Sequence, residues 1–144
     1  MRRLTWVLTI LVLAAGVPVL SGDEPDQQKM QLLMKKKLLH AQKVLEGIAL
    51  NDHETIARNA EELMRISQAV EWRVLKSPQY EVHSNEFRRG LEGLTQAAKT
   101  KNVDAAALAY VDLTLTCVRC HKHVREVRQT RLERLERDQW ARRD

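Results

Sequence analysis

Residues 27–50 read QQKMQLLMKKKLLHAQKVLEGIAL. Met30, Met34, Leu38, Ala41, Leu45 and Ile48 recur at spacings of three and four, which lays them along one face of a helix. Leu32, Leu33, Leu39 and Val44 widen that face, and Asn51 and Asp52 close the segment. The same period returns three times downstream. A second helix is expected over residues 53–75, with Asp52 as its N-cap. Its stripe is Ile56, Ala60, Leu63, Ser67 and Val70, flanked by Met64 and Ile66. Pro78 forces Ser77 into extended geometry, so this helix should stop before it, in a polar loop. A third helix is expected over residues 85–101, with Phe87, Leu91, Leu94 and Ala98 inward and Ala97 beside them. Asn102 breaks the chain. A fourth helix should begin near Asp104 and run past Leu135, with Ala107 or Leu108, Val111, Leu115, Val118 and Val124 as its stripe.

Turn residues are too few for another class. Beyond residue 26 there is one proline, Pro78, and there are three glycines, Gly47, Gly90 and Gly93. An all-β domain needs many more. No Gly-rich loop exists to form a P-loop or a dinucleotide fingerprint. The expected class is therefore all-α. Four amphipathic helices on short connections are best satisfied by an antiparallel four-helix bundle, and 144 residues allow one domain.

The two ends differ from the middle. Arg2 and Arg3 precede an uncharged stretch from Leu4 to Leu20, followed by Ser21, Gly22 and an abruptly polar run. That order is a secretory signal peptide over residues 1–22, cut after Ser21 or Gly22. Pro18 interrupts the stretch, which argues against an uncleaved anchor. The expected location is periplasmic or otherwise exported, with no stable membrane anchor after cleavage. Removing Arg2 and Arg3 lowers the net charge of +5 to +3 on residues 23–144. This mild, interleaved excess lacks the clustered basic patch and stacking aromatics of a nucleic-acid surface. The bundle should occupy residues 23–125, and residues 126–144 form a charged helical extension. That extension is read as solvated, with a partner-docking helix as the other reading.

The chemistry lies at Cys117-Val118-Arg119-Cys120-His121. Both cysteines of the protein fall within these five residues. C-x-x-C-H is the attachment signature of c-type haem. On a helix, positions i, i+3 and i+4 share one face. Two thiols can then form thioethers to the haem vinyl groups, and the imidazole beside them can take the iron as axial ligand. Three other readings compete. Cys117 and Cys120 could be a redox pair or a disulfide, although a thioredoxin-like site needs a βαβ context that this chain lacks. Cys117, Cys120, His121 and His123 could hold zinc, although His123 projects away from the other three on one helix. The motif could also be accidental.

With the motif near the end of a fourth helix, the chain resembles the class II cytochromes c, meaning cytochrome c′ and its low-spin relatives. The resemblance spans roughly residues 27–125. It is carried by Cys117, Cys120 and His121, with the basic Arg125 four positions on. The run from Gly47 through Ile56 to Trp72 is similar to the family's first and second helices, and residues 87–110 to its third and the start of its fourth. The tail departs, because family members end soon after the basic residue and 19 residues follow Arg125 here.

The resemblance implies one covalent haem c near the C-terminal end of the fourth helix, with the first helix over its far face. Members with a Met there are six-coordinate and suit electron transfer. Members with an apolar residue are five-coordinate and admit NO or CO. Met34 is the first candidate for the sixth ligand, with Met30 a turn earlier, and core packing of both is the alternative. His40, after the lysine run Lys35 to Lys37, is expected to be exposed, as are His53 and His83. Arg125 should lie near the haem, where it can balance a propionate or tune the imidazole. The expected function is single-electron transfer by an exported monohaem c-type cytochrome, with redox proteins as partners. The alternatives are a five-coordinate protein binding NO or CO, and a haem-free helical interaction module with a Cys117–Cys120 disulfide. No Ser–His–Asp set, paired acids or open metal site is evident, so no enzyme is expected. A homodimer through the outer faces of the first two helices is allowed.

Overall fold

The computed structural model describes residues 25–69, 72 and 75–143. The expected signal peptide, and Val70 of the second stripe, lie outside them. Four helices follow in order: α1 Pro25–Ala49, α2 His53–Gln68, α3 Pro78–Lys99 and α4 Val103–Trp140. No strand occurs among the described residues, and the four helices suit a bundle. None of these helices is long and apolar enough to cross a membrane.

One turn geometry is used twice. Asn51 and Lys101 both take left-handed φ, at 55° and 53°. After α1, the Asp52 amide donates to the Gly47 carbonyl at 2.8 Å and the Asn51 amide to the Ile48 carbonyl at 3.2 Å. After α3, Asn102 donates to Ala97 at 2.9 Å and Lys101 to Ala98 at 3.1 Å. These paired bonds satisfy carbonyls left over at a helix end. The next residue caps the following helix. Asp52 accepts from the Thr55 amide at 3.0 Å, and Asn102 from the Ala105 amide at 2.9 Å. Asp52 is thus the N-cap that the sequence predicts.

The α2–α3 connection departs from expectation. α2 ends at Gln68, and α3 begins seven residues before position 85. Ser77 is indeed extended (φ −134°, ψ 145°), and that geometry makes it an N-cap. Its hydroxyl accepts from the Tyr80 amide at 3.2 Å. Pro78 sits at the first helical position, where its missing N–H costs nothing. The proline therefore starts α3 rather than lying in a loop.

Val44, Ile56, Leu63, Leu91 and Leu94 are fully buried. In α2 the expected Ile56, Ala60, Leu63 and Ser67 face inward, and in α3 so do Phe87, Leu91, Leu94 and Ala98. In α1 and α4 the buried face is rotated from the expected one. α1 buries Lys37, Val44 and Gly47 and leaves Leu38 60% exposed. α4 buries Ala106, Leu113 and Thr116, while Leu108, Val111, Leu115 and Val118 are exposed. For α4 the reason is close packing on α3, where Gly90 lets it approach, and for α1 it is the contact of Gly47 with Ile56 of α2. A Cβ at Gly90 would lie 3.0 Å from Leu113 Cδ1. α3 packs closely on α4 and α2 on both α1 and α3, but α1 and α4 touch at only a few positions. The expected extension over residues 126–144 continues α4 to Trp140 without a break and is almost wholly exposed.

Candidate haem-attachment site

The inner face of α4 carries Leu113, Cys117, Cys120 and Val124. Cys117 and Cys120 are half-buried against the core, and both are free thiols. The two residues between them turn away. Val118 faces solvent, and Arg119 donates to Thr116 Oγ1 at 2.9 Å and lies 3.8 Å from Glu86 on α3. His121 is exposed at the rim of the cysteine face. The helix thus places both thiols inward and the imidazole beside them at the surface.

The wall opposite is aromatic. Trp72 and Phe87 stack with centroids 5.3 Å apart and planes at 29°. Trp72 is held by its own polar contacts. Its indole N–H donates to Ser84 Oγ at 3.0 Å, and its carbonyl accepts from the Tyr80 hydroxyl. Lys37 of α1 enters between this wall and the thiols. Its Nζ lies 4.0 Å from the Phe87 centroid and 4.5 Å from that of Trp72, near enough to Cys117 and Cys120 for the groups to act on one another's charge. Only 8% of Lys37 is exposed.

These neighbours shift one another's protonation. Burial holds the Lys37 ammonium below the usual lysine range, and Cys117 and Cys120 partly oppose that. Burial raises the Cys120 thiol, against the pull of the Lys37 charge. Partial burial, then the charges of Lys37 and Arg125, hold His121 below the usual histidine value. Tyr110 is pushed up by burial and then by Cys117. Both cations thus disfavour protonation of the His121 imidazole.

The remaining expected residues fall in different places. Met34 is half-buried and packs against the core a turn before Lys37, and Met30 is half-buried. Arg125 is exposed, and its charge reaches His121. His40 is half-buried rather than exposed, with Nδ1 2.9 Å from Asn59 Oδ1 of α2. His83 is buried in α3 rather than exposed in a loop. It lies 3.1 Å from Gln79 Nε2 and 3.3 Å from Glu86 Oε2. His123 turns toward α3, 3.4 Å from Ser77 Oγ.

Lys37 is the residue that sequence reasoning missed. The sequence groups it with Lys35 and Lys36 in one run ahead of His40. The signal was its spacing, three residues after Met34 and seven before Val44, which keeps it on the buried side of α1.

Two free thiols at i and i+3 on the inner face, followed by an imidazole and opposed by aromatic rings, are the donor set that a covalently held haem needs. Thioether formation needs reduced thiols, and these are unpaired. A zinc site needs converging ligands, and among the described residues no three His, Cys, Asp or Glu side chains gather to hold an ion. No family model matches the chain, and searches of curated proteins and of solved structures find no match either.

Proposed function

We propose that this chain is an exported monohaem c-type cytochrome that carries single electrons, built as an antiparallel bundle resembling the class II cytochromes c. The observation that carries the reading is the placement of the free Cys117 and Cys120 thiols on the inner face of α4 with His121 beside them at its rim. Cys117 and Cys120 would anchor the vinyl groups, and His121 would be the proximal ligand. Bound haem c supplies a one-electron ferric/ferrous couple. The chain's own contribution is threefold. The thiols fix the group's position without a large binding pocket. Trp72 and Phe87 present a dry aromatic wall. Lys37 and Arg125 place positive charge around the proximal histidine, which favours the more reduced, less positive iron. The exposed α4 extension would meet a redox partner protein. Residues 1–22 would direct export before haem attachment.

The test is a visible spectrum of the full chain matured in a host that attaches c-type haem, ferric and ferrous, with and without CO. The expected result is a covalent haem that survives denaturation, a low-spin ferrous form unaltered by CO, and loss of covalent haem in Cys117→Ser/Cys120→Ser. A high-spin form that shifts with CO would replace electron transfer by NO or CO binding. A folded protein with no covalent haem would leave the haem-free helical module.

A further inference from the structure

The helices do not share the positive charge evenly. α1 holds five lysines against two acids, Asp26 and Glu46. α2 has one acid more than it has bases, α3 is balanced, and α4 has one base in excess. Lys37 is buried, but Lys29, Lys35, Lys36 and Lys43 are all exposed. The same outward surface carries leucines. Leu32, Leu38, Leu39, Leu45 and Leu50 are 50–71% exposed. Lys29, Leu32, Lys36, Leu39 and Lys43 follow one another at spacings of three and four, so lysine and leucine alternate along one line of the helix. Lys35, Leu38 and Leu45 lie beside that line. Glu46 is the one acid between residues 27 and 50, and Lys43 holds it at 2.7 Å. A helix face that is both cationic and apolar is a poor match to water alone.

We propose that the outer face of α1 binds reversibly to an anionic phospholipid surface. The leucines enter the boundary between headgroups and acyl chains, and the lysine ammoniums lie among the phosphates. The proposal is independent of the haem reading. Charge selects the occupant. A second copy meeting this face about a two-fold axis would set the lysines against themselves. Like charges brought together in this way repel. An acidic protein surface would answer the lysines but not the leucines placed between them. From Leu32 to Leu45 the ridge runs about 20 Å along the helix. A bilayer interface offers anionic and apolar groups together over all of that length. The lysine stems suit it too, because they lie along apolar surface while the ammonium reaches outward. Binding would stay at the surface, since no helix among the described residues is long and apolar enough to cross a membrane.

The test is sedimentation of the exported chain with vesicles of phosphatidylcholine and phosphatidylglycerol, and with vesicles of phosphatidylcholine alone. Three variants are compared with wild type: Lys35→Gln/Lys36→Gln, Leu32→Gln/Leu39→Gln and Leu115→Gln. All the substituted side chains are exposed, so helix content by circular dichroism should be unchanged. Wild type should bind the anionic vesicles and not the neutral ones, and added salt should release it. The lysine pair should weaken binding by roughly tenfold or more, at several-fold for each lysine. The leucine pair should weaken it to a similar degree, and Leu115→Gln on α4 should not change it. Equal binding to both kinds of vesicle, or binding that persists in both pairs, would overturn the proposal. Binding lost in the lysine pair but kept in the leucine pair would overturn it in favour of an acidic protein partner. Failure to bind vesicles, with self-association in sedimentation velocity that the leucine pair removes, would overturn it in favour of a second copy. Failure to bind without self-association would overturn it outright.

Discussion

In α2 and α3 the residues that repeat at helical spacing are the residues that are buried. Ile56, Ala60 and Leu63, then Phe87, Leu91 and Leu94, lie inward as their period demands. In α1 and α4 the period is as regular, but much of it faces out. Leu38 and Leu45 on α1, and Leu108, Val111, Leu115 and Val118 on α4, are at least half exposed. The position that α1 does bury opposite the cysteines holds a lysine. The difference teaches where the polypeptide supplies its own core. α2 and α3 bury their apolar stripes fully. Between them, α1 and α4 place a cation and two thiols against the rings of Trp72 and Phe87.

The strongest test of that contrast is Leu91→Ala. Leu91 is fully buried in α3, and truncation leaves a cavity that neighbouring helices fill only partly. Stability should fall by about 2–5 kcal/mol in chemical denaturation. A loss below 1 kcal/mol would mean that the α2 and α3 side is as loosely packed as the other.

Gly47 marks the seam between the two sides. An added Cβ would stand 2.9 Å from Ile56 Cγ1 and 3.1 Å from both the Asp52 carbonyl oxygen and the Ile56 nitrogen. The side chain can rotate, but the turn backbone cannot. Gly47→Ala should therefore cost about 1–3 kcal/mol. Gly93→Ala is the control, because its Cβ would meet only Ala109 Cβ at 3.8 Å. There the helix gains up to about 1 kcal/mol from the better helix former. Equal effects at the two glycines would break the argument for a tight α1–α2 junction.

Lys37→Met in protein prepared without haem should raise stability by about 1–2 kcal/mol, since a buried unpaired charge is exchanged for an apolar chain of similar length. The pH dependence has a definite sign. Folding lowers the Lys37 value below the ordinary 10.5, so the unfolded chain binds more protons. Stability of wild type relative to Lys37→Met therefore rises with pH between the lowered value and 10.5. The gap between the two proteins should shrink across that window. Cys117, Cys120 and His121 from α4 also face this group, and they enter the difference only through their coupling to Lys37. A gap that widens with pH would show that the ammonium is stabilising where it sits.

Helix count and the breaks at Asn51, Asp52 and Asn102 were legible because each rests on local chemistry. Asp52 and Asn102 cap the helices they precede, and Cys117, Cys120 and His121 carry their spacing with them. The start of α3 was missed because Ser77-Pro78 was read as a stop for α2 rather than as a cap and first residue of α3. The inward faces of α1 and α4 were misread for a different reason. Each helix is apolar over more than one face, so the period names a helix without choosing the side that packs. The choice comes from partners far away in sequence, such as Gly90 for α4 and Ile56 for α1. Lys37 was hidden by the two exposed lysines before it.

The smallest expected effect bears on the outward stripe of α4. Leu115 lies between Val111 and Val118 on the face turned away from Leu113 and is 51% exposed. Leu115→Gln exchanges one good helix former for another. With no packing to lose, stability should change by no more than about 0.5 kcal/mol. The measurement is thermal denaturation at two protein concentrations at least tenfold apart. A loss well above that bound, present only at the higher concentration, would mean that another copy of the chain covers the stripe. The apolar period of α4 would then serve two interfaces, Cys117 and Cys120 on one side and Leu115 on the other. A null result would leave the cysteine face as the one side of α4 that packing selects. The contrast between the two sides of the bundle would then belong to the single chain.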